Sequence, residues 1–230
     1  MAETNSSIGT YFGGRPQIAK LLDTYVSSDS VTLLTARPIN IFDTGEMDRA
    51  LEHLGTPAAK ADGIANAIER TLTERMDRDP ALYRKFSEML RETIQAFRDH
   101  MLSGVEYLTR VGEIREQVVS GAPQDAVPAP LVGNDVAAAY YRLLLEHGAR
   151  IALKADDGEA DAAFALAVDE AIRREIVVDW QRKPDVLNRI KANLDDLFFE
   201  WAGRGLVEEN WVALDDLAEN LLKVARSRFA

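Results

Sequence analysis

Six basic residues in the second half of the sequence are the side chains best suited to hold a phosphate. They surround a turn predicted at 178–184 and comprise Arg173, Arg174, Arg182, Lys183, Arg189 and Lys191. Guanidinium and ammonium groups clustered in this way could contact DNA phosphates or a partner. Internal salt bridges to the abundant Asp and Glu are the favoured alternative. If DNA is bound here, replacing the last four of these residues with Ala should weaken salt-sensitive binding.

The other chemistry-bearing residues form no catalytic or metal-binding pattern. The phosphate-cradling loops GxxxxGK[ST] and GxGxxG do not occur. The three histidines His53, His100 and His147 lie far apart and lack the HxxxH spacing of a zinc site. Acidic pairs such as Asp195–Asp196 and Asp215–Asp216 fall on the hydrated faces of predicted helices. We therefore predict no catalytic residue, no metal and no cofactor on this chain.

Composition narrows the class of protein. The chain has 230 residues, a formal net charge of −11, 47% hydrophobic residues and no cysteine. Absence of cysteine excludes disulfides, iron–sulfur clusters and thiol catalysis. The acidic balance argues against a general nucleic-acid coat. No apolar run reaches the roughly 20 residues that cross a bilayer, and no signal peptide is evident, so we expect a soluble cytoplasmic protein with no membrane partner.

Helix signals dominate the chain. Capping residues precede apolar residues spaced by three and four at Asp43 or Thr44, Thr56–Pro57, Asp79–Pro80 and Asn134 or Asp135. From residue 80 the apolar spacing runs for about 35 residues, which indicates a long helical hairpin or a break near Gly104. We predict an all-α bundle of seven or eight helices, with a short extended element near residues 31–36.

Proline and glycine suggest how the chain is divided. Residues 120–134 hold three prolines and two glycines and form the clearest linker. We expect an N-terminal tail and linker at 1–30, a first helical half at 31–119 and a second at 135–230. Both halves are expected to belong to one helical domain. Trp180 and Trp201 are expected to anchor its core.

Three segments, at residues 38–90, 132–146 and 166–198, carry a recognisable order of motifs. The motifs include NIFD at 40–43, Lys60–Ala61, DPALYRKFSE at 79–88, and IVVDW at 176–180 followed by a helix with RIKANL. Taken in order, these segments resemble the C-terminal helical region of the R (restriction) subunit of type I restriction enzymes. The resemblance extends over about residues 30–200. The final helix, at 211–229, departs from it.

The resemblance implies a docking role. In that family the helical region packs on the motor domains of the same subunit and attaches them to the methyltransferase and specificity subunits. The nuclease and ATPase domains, which would use ATP and Mg²⁺ and contact DNA, lie outside this sequence. The chain would then be a piece of an ATP-dependent site-specific deoxyribonuclease, inert alone.

Two other interpretations remain open. One is a free-standing helical adaptor or regulatory protein that shares with the R subunit only the pattern of residues that start and end helices. Motor motifs upstream in the same reading frame would favour the R subunit over this adaptor. The other is an enzyme with an unrecognised site between the helical halves, which a deep cavity with convergent carboxylates would support.

Overall fold

Eight α-helices make up the part of the chain that the computed structural model describes, residues 39–121, 127–148, 158–204 and 210–229. In chain order they are α1 (Thr44–Leu51), α2 (Pro57–Arg75), α3 (Pro80–Arg98), α4 (Gly104–Ser120), α5 (Asp135–His147), α6 (Gly158–Arg173), α7 (Pro184–Gly203) and α8 (Trp211–Arg228). Short 3-10 turns occur at Met76–Arg78, Ala129–Leu131 and Trp180–Arg182. No strand occurs in these residues, which confirms the all-α prediction. The element expected at 31–36 lies outside them.

The helices begin where the capping signals predict. The side chains of Thr56, Asp79 and Asn134 each accept a hydrogen bond of 3.1 Å from the backbone N–H three residues on. Pro57 and Pro80 occupy the first positions of α2 and α3. A proline is well placed there because the amide it lacks would have no partner within the helix.

The long apolar stretch after residue 80 is two helices. His100 has a φ of 57°, in the left-handed region, and lies beyond the end of α3. Ser103 and Glu106 then form a reciprocal capping box, in which each side chain bonds the other's backbone N–H. The break predicted near Gly104 is therefore present.

Two helix ends differ from the predictions. The apolar spacing from Phe164 to Ile176 predicts a helix from about Ala160 to Val178, but α6 ends at Arg173. The amides of Glu175 and Ile176 bond carbonyls three residues back, which tightens the chain into a turn. Helix α1 ends at Leu51, so Leu54 lies beyond it and Gly55 is not its stop.

Buried side chains form two clusters. The N-terminal core draws on α1–α4 and includes Ile68, Leu72, Phe86, Tyr107 and Val111. The C-terminal core draws on α5–α8 and includes Tyr140, Phe164, Trp180, Phe198 and Trp201. The exposed fractions of Trp180 and Trp201 are 2% and 7%, which confirms that both are core anchors.

Helices α3 and α5 connect the two cores. Arg142 on α5 is paired with Asp79 at the start of α3, and Arg84 on α3 is paired with Glu146 on α5. Ala81 of α3 also packs against the C-terminal core. The domain boundaries proposed at 1–30, 31–119, 120–134 and 135–230 stay a prediction.

Candidate functional site

Most of the basic residues selected from the sequence are already engaged by carboxylates. Arg173 Nε lies 2.8 and 2.9 Å from the two carboxylate oxygens of Asp169, and its guanidinium lies 4.5 Å from the Phe229 ring centroid. Arg174 lies 3.9 Å from Glu170. These two side chains therefore neutralise charges on their own helix.

The pair on α7 is engaged as well. Arg189 bonds Glu175 at 2.8 Å and Asp185 at 3.2 Å. These hydrogen bonds lower the pKa of the Glu175 carboxyl and that of the Asp185 carboxyl. Lys191 Nζ lies 2.5 Å from Glu219 on α8.

The turn before α7 holds the last two predicted basic residues. Arg182 and Lys183 are exposed, and their side chains make no hydrogen bond or ion pair with another described residue. The structure thus places the six residues around one turn, but only these two present their full charge. Contact of the six with DNA or a partner stays a prediction.

A second concentration of guanidinium groups, most of them without a carboxylate partner, lies elsewhere, between the two cores. A cavity of about 300 Å³, which we name the arginine cavity, opens where α3, α4, α5 and the end of α8 meet. The charged side chains among its described lining residues are Arg75, Arg78, Asp79, Asp135, Arg142 and Arg228. Spacing along the chain does not reveal this group, because its arginines lie up to 153 positions apart.

Asp79 is the most buried charged residue of this cavity, with an exposed fraction of 2%. One carboxylate oxygen accepts the Leu82 amide, and the other accepts the Arg142 guanidinium. Burial nevertheless raises the pKa of the carboxyl, since the loss of solvation outweighs the attraction of Arg142. Asp79 therefore holds Arg142 in place and is not free to bind a ligand.

Helices α7 and α8 form a second distinctive surface, where side chains meet in an antiparallel register. Lys191 pairs with Glu219, Asp195 faces Asp215, and the ring centroids of Phe199 and Trp211 lie 6.5 Å apart. Each step moves four residues along both helices, so the contacts share one face. We name this face the α7/α8 seam.

Two features of the α7/α8 seam are unfavourable while it is exposed to water. Burial and the neighbouring carboxylates Asp215 and Asp196 raise the pKa of Asp195. The exposed fractions of Phe199, Trp211 and Val212 are 66%, 43% and 71%. Like charges and exposed aromatic rings at one place are costly for the free chain, and both would be relieved by a partner surface.

The three histidines do not come together in a common binding site. His147, the last residue of α5, is buried; its Nδ1 lies 3.0 Å from the Leu143 carbonyl oxygen and its Nε2 lies 3.4 Å from the Asn220 amide nitrogen. His53 is exposed beyond the end of α1. Within the described ranges, no three His, Cys, Asp or Glu residues are grouped so as to hold a metal ion. None of the described helices is long and apolar enough to cross a membrane.

Comparison with known proteins gives one family. The family described as type I restriction enzyme HindI endonuclease subunit-like, C-terminal, matches residues 17–200, which is most of the chain and includes α1–α6 and all but the last turn of α7. No curated protein and no solved structure matches significantly. Helix α8 follows the matched region yet contributes eight residues to the C-terminal core. The chain belongs to the family of C-terminal regions of type I restriction enzyme HindI-like endonuclease subunits.

Proposed function

We propose that this chain is the helical assembly domain that docks the endonuclease subunit onto its methyltransferase–specificity complex in the cytoplasm, and that it is catalytically inert alone. The family match over residues 17–200 carries this proposal. The ATPase and nuclease chemistry, with ATP and Mg²⁺, would reside in the motor and nuclease domains of the parent subunit. DNA would be contacted through the assembled complex.

The α7/α8 seam is the surface we assign to docking. Interface centres are enriched in aromatic residues, and Phe199 and Trp211 form an exposed, nearly parallel pair with an interplanar angle of 16°. Both lie over the well-packed C-terminal core, since neighbouring Phe198 and Trp201 are buried. A rigid support of this kind reduces the ordering cost of binding.

Charge indicates what should cover the seam. Asp195 and Asp215 lie one helical turn from the aromatic pair on their respective helices. An apolar depression rimmed by Lys or Arg on the methyltransferase–specificity complex would complement both features. A partner cation placed between the two carboxylates would remove their repulsion.

The test measures binding of the chain to its cognate methyltransferase–specificity complex by calorimetry. Replacing Phe199 and Trp211 together with Ser should weaken binding by about 10-fold or more, because buried aromatic anchors are commonly worth ~2 kcal/mol. The matched control is the same double replacement at Met101 and Val105, two apolar residues at the α3–α4 turn whose exposed fractions are 67% and 63%. Circular dichroism verifies that all variants stay helical.

Three outcomes would contradict the proposal. Wild-type chain that fails to bind the complex would remove the docking role. An equal loss in the Met101 and Val105 control would remove the seam as the contact. ATP hydrolysis by the purified chain that survives controls for contaminants would show that the chain is not inert.

A further inference from the structure

We propose that the arginine cavity binds a phosphate group, held by Arg75, Arg78 and Arg228. This site is separate from the α7/α8 seam and does not depend on the docking role. It lies between the two cores, where the 3-10 turn Met76–Arg78 meets the end of α8.

The first argument is charge. Four arginines and two aspartates are among the described lining residues, an excess of two positive charges in a chain whose net charge is −11. Asp79 and Arg142 neutralise each other through their ion pair. The remaining charged residues of the described lining are Arg75, Arg78 and Arg228, with Asp135 as the single carboxylate. The summed field of such a group attracts an anion.

The second argument is that these guanidinium groups keep unused donors. The Arg78 side chain makes no hydrogen bond or ion pair with another described residue, although its backbone carbonyl accepts the Nε–H of Arg228 at 3.0 Å. That bond leaves both terminal nitrogens of Arg228 without a hydrogen-bond partner in the described part of the chain. The Arg75 guanidinium lies 4.1 Å from the Phe42 ring centroid, and stacking of this kind occupies its face and leaves its N–H edge available.

The third argument is preorganisation. The Nε–H bond to the Arg78 carbonyl positions Arg228, and the Phe42 ring positions Arg75. Each of these side chains would otherwise lose rotamer freedom when a ligand bound. Planar guanidinium forks match the oxygen pairs of phosphate, and a phosphate dianion balances an excess of two charges. The ligand could be a free phosphate compound or the phosphate backbone of DNA.

Calorimetric titration of the full chain tests the site, with pyrophosphate as one probe and a short DNA duplex as the other. The variants are Arg78→Ala and Arg228→Gln, each of which removes one cavity charge. Arg91→Ala is the matched control because Arg91 is an exposed arginine on α3, outside the cavity and without a hydrogen bond or ion pair to another described residue. We expect saturable binding in the wild type, at least about 10-fold weaker in each cavity variant and unchanged in the control, since a hydrogen bond to a charged group is worth ~1.5 kcal/mol or more.

The two probes distinguish the source of the phosphate. Cavity-dependent binding of pyrophosphate alone indicates a free phosphate compound, and cavity-dependent binding of the duplex indicates DNA. Absence of saturable binding with both probes overturns the proposal. So does a loss of affinity in Arg91→Ala equal to that in the cavity variants, because it would report general charge attraction.

Discussion

Asp79 and Arg142 form an ion pair that joins the N-terminal core to the C-terminal core. Asp79 is also the cap of α3, so one buried carboxylate both starts a helix and holds the neighbouring α5. The exposed fraction of the Arg142 side chain is 17%. Loss of Asp79 would therefore leave a largely buried guanidinium without its counter-charge.

Replacement of Asp79 should separate these two roles. Asp79→Ala removes the cap and the partner of Arg142, and we expect it to lower the free energy of unfolding by about 4 kcal/mol. Asp79→Asn keeps one oxygen for the Leu82 amide but places a donating NH2 group against Arg142, so it retains the cap and loses the ion pair. We therefore expect its loss to be smaller than that of Asp79→Ala by about 1 kcal/mol, the value of the cap. Urea denaturation followed by circular dichroism measures both. Equal losses in the two variants would mean that the cap does not contribute.

The raised pKa of Asp79 predicts a pH dependence. The folded chain binds this proton more tightly than the unfolded chain, whose carboxyl has the ordinary pKa of 3.8. Stability from this group should therefore fall as pH rises from about 3.8 through the folded pKa, and it should be constant above. The difference in unfolding free energy between wild type and Asp79→Asn isolates this effect. A difference that grows in favour of wild type with rising pH would contradict the direction.

Two buried tyrosines should respond oppositely to loss of the hydroxyl. The Tyr140 hydroxyl is buried without a hydrogen-bond partner among the described residues, and burial raises its pKa well above the usual range. The Tyr107 hydroxyl donates to Asp62 at 3.0 Å. We expect Tyr140→Phe to stabilise the chain by about 1 kcal/mol and Tyr107→Phe to destabilise it by a similar amount. Thermal unfolding measures both, and a loss of stability in Tyr140→Phe would reveal a partner for that hydroxyl.

The basic residues around the turn before α7 should contribute unequally to DNA binding, if that surface binds DNA. Arg182 and Lys183 carry unpaired charge, whereas Arg189 and Lys191 are engaged by carboxylates. Replacing the first pair with Ala should weaken salt-sensitive binding more than replacing the second pair. Fluorescence anisotropy with a labelled duplex at several salt concentrations compares the two. Unchanged binding in both double variants would exclude this surface.

Two helical glycines offer a paired test of packing. An added Cβ at Gly112 in α4 would meet no atom within 4 Å, so Gly112→Ala should stabilise the chain by about 0.8 kcal/mol through helix propensity. At Gly63 in α2 the Cβ would lie 3.0 Å from Leu51 Cδ2. Gly63→Ala should therefore gain less than Gly112→Ala. A gain at Gly63 equal to that at Gly112 would show that the Leu51 side chain moves aside without cost.

Local features explain why so many helices could be predicted. The caps at Thr56, Asp79 and Asn134 act through hydrogen bonds three residues away, and prolines mark the first positions of helices. Such signals lie within one helical turn, so they are readable in the sequence. The same locality explains the error at the end of α6, because apolar spacing continues through Ile176 after the backbone has turned at Glu175.

By itself, the sequence determined the all-α class, the helix starts and the family to which most of the chain belongs. Only the tertiary structure decided which charges remain free and which side chains meet. The register that places Asp195 against Asp215 depends on how α7 lies along α8, and the arginine cavity joins Arg78 to Arg228 across 150 positions. Packing of the two cores sets these distances, and no spacing along the chain encodes them.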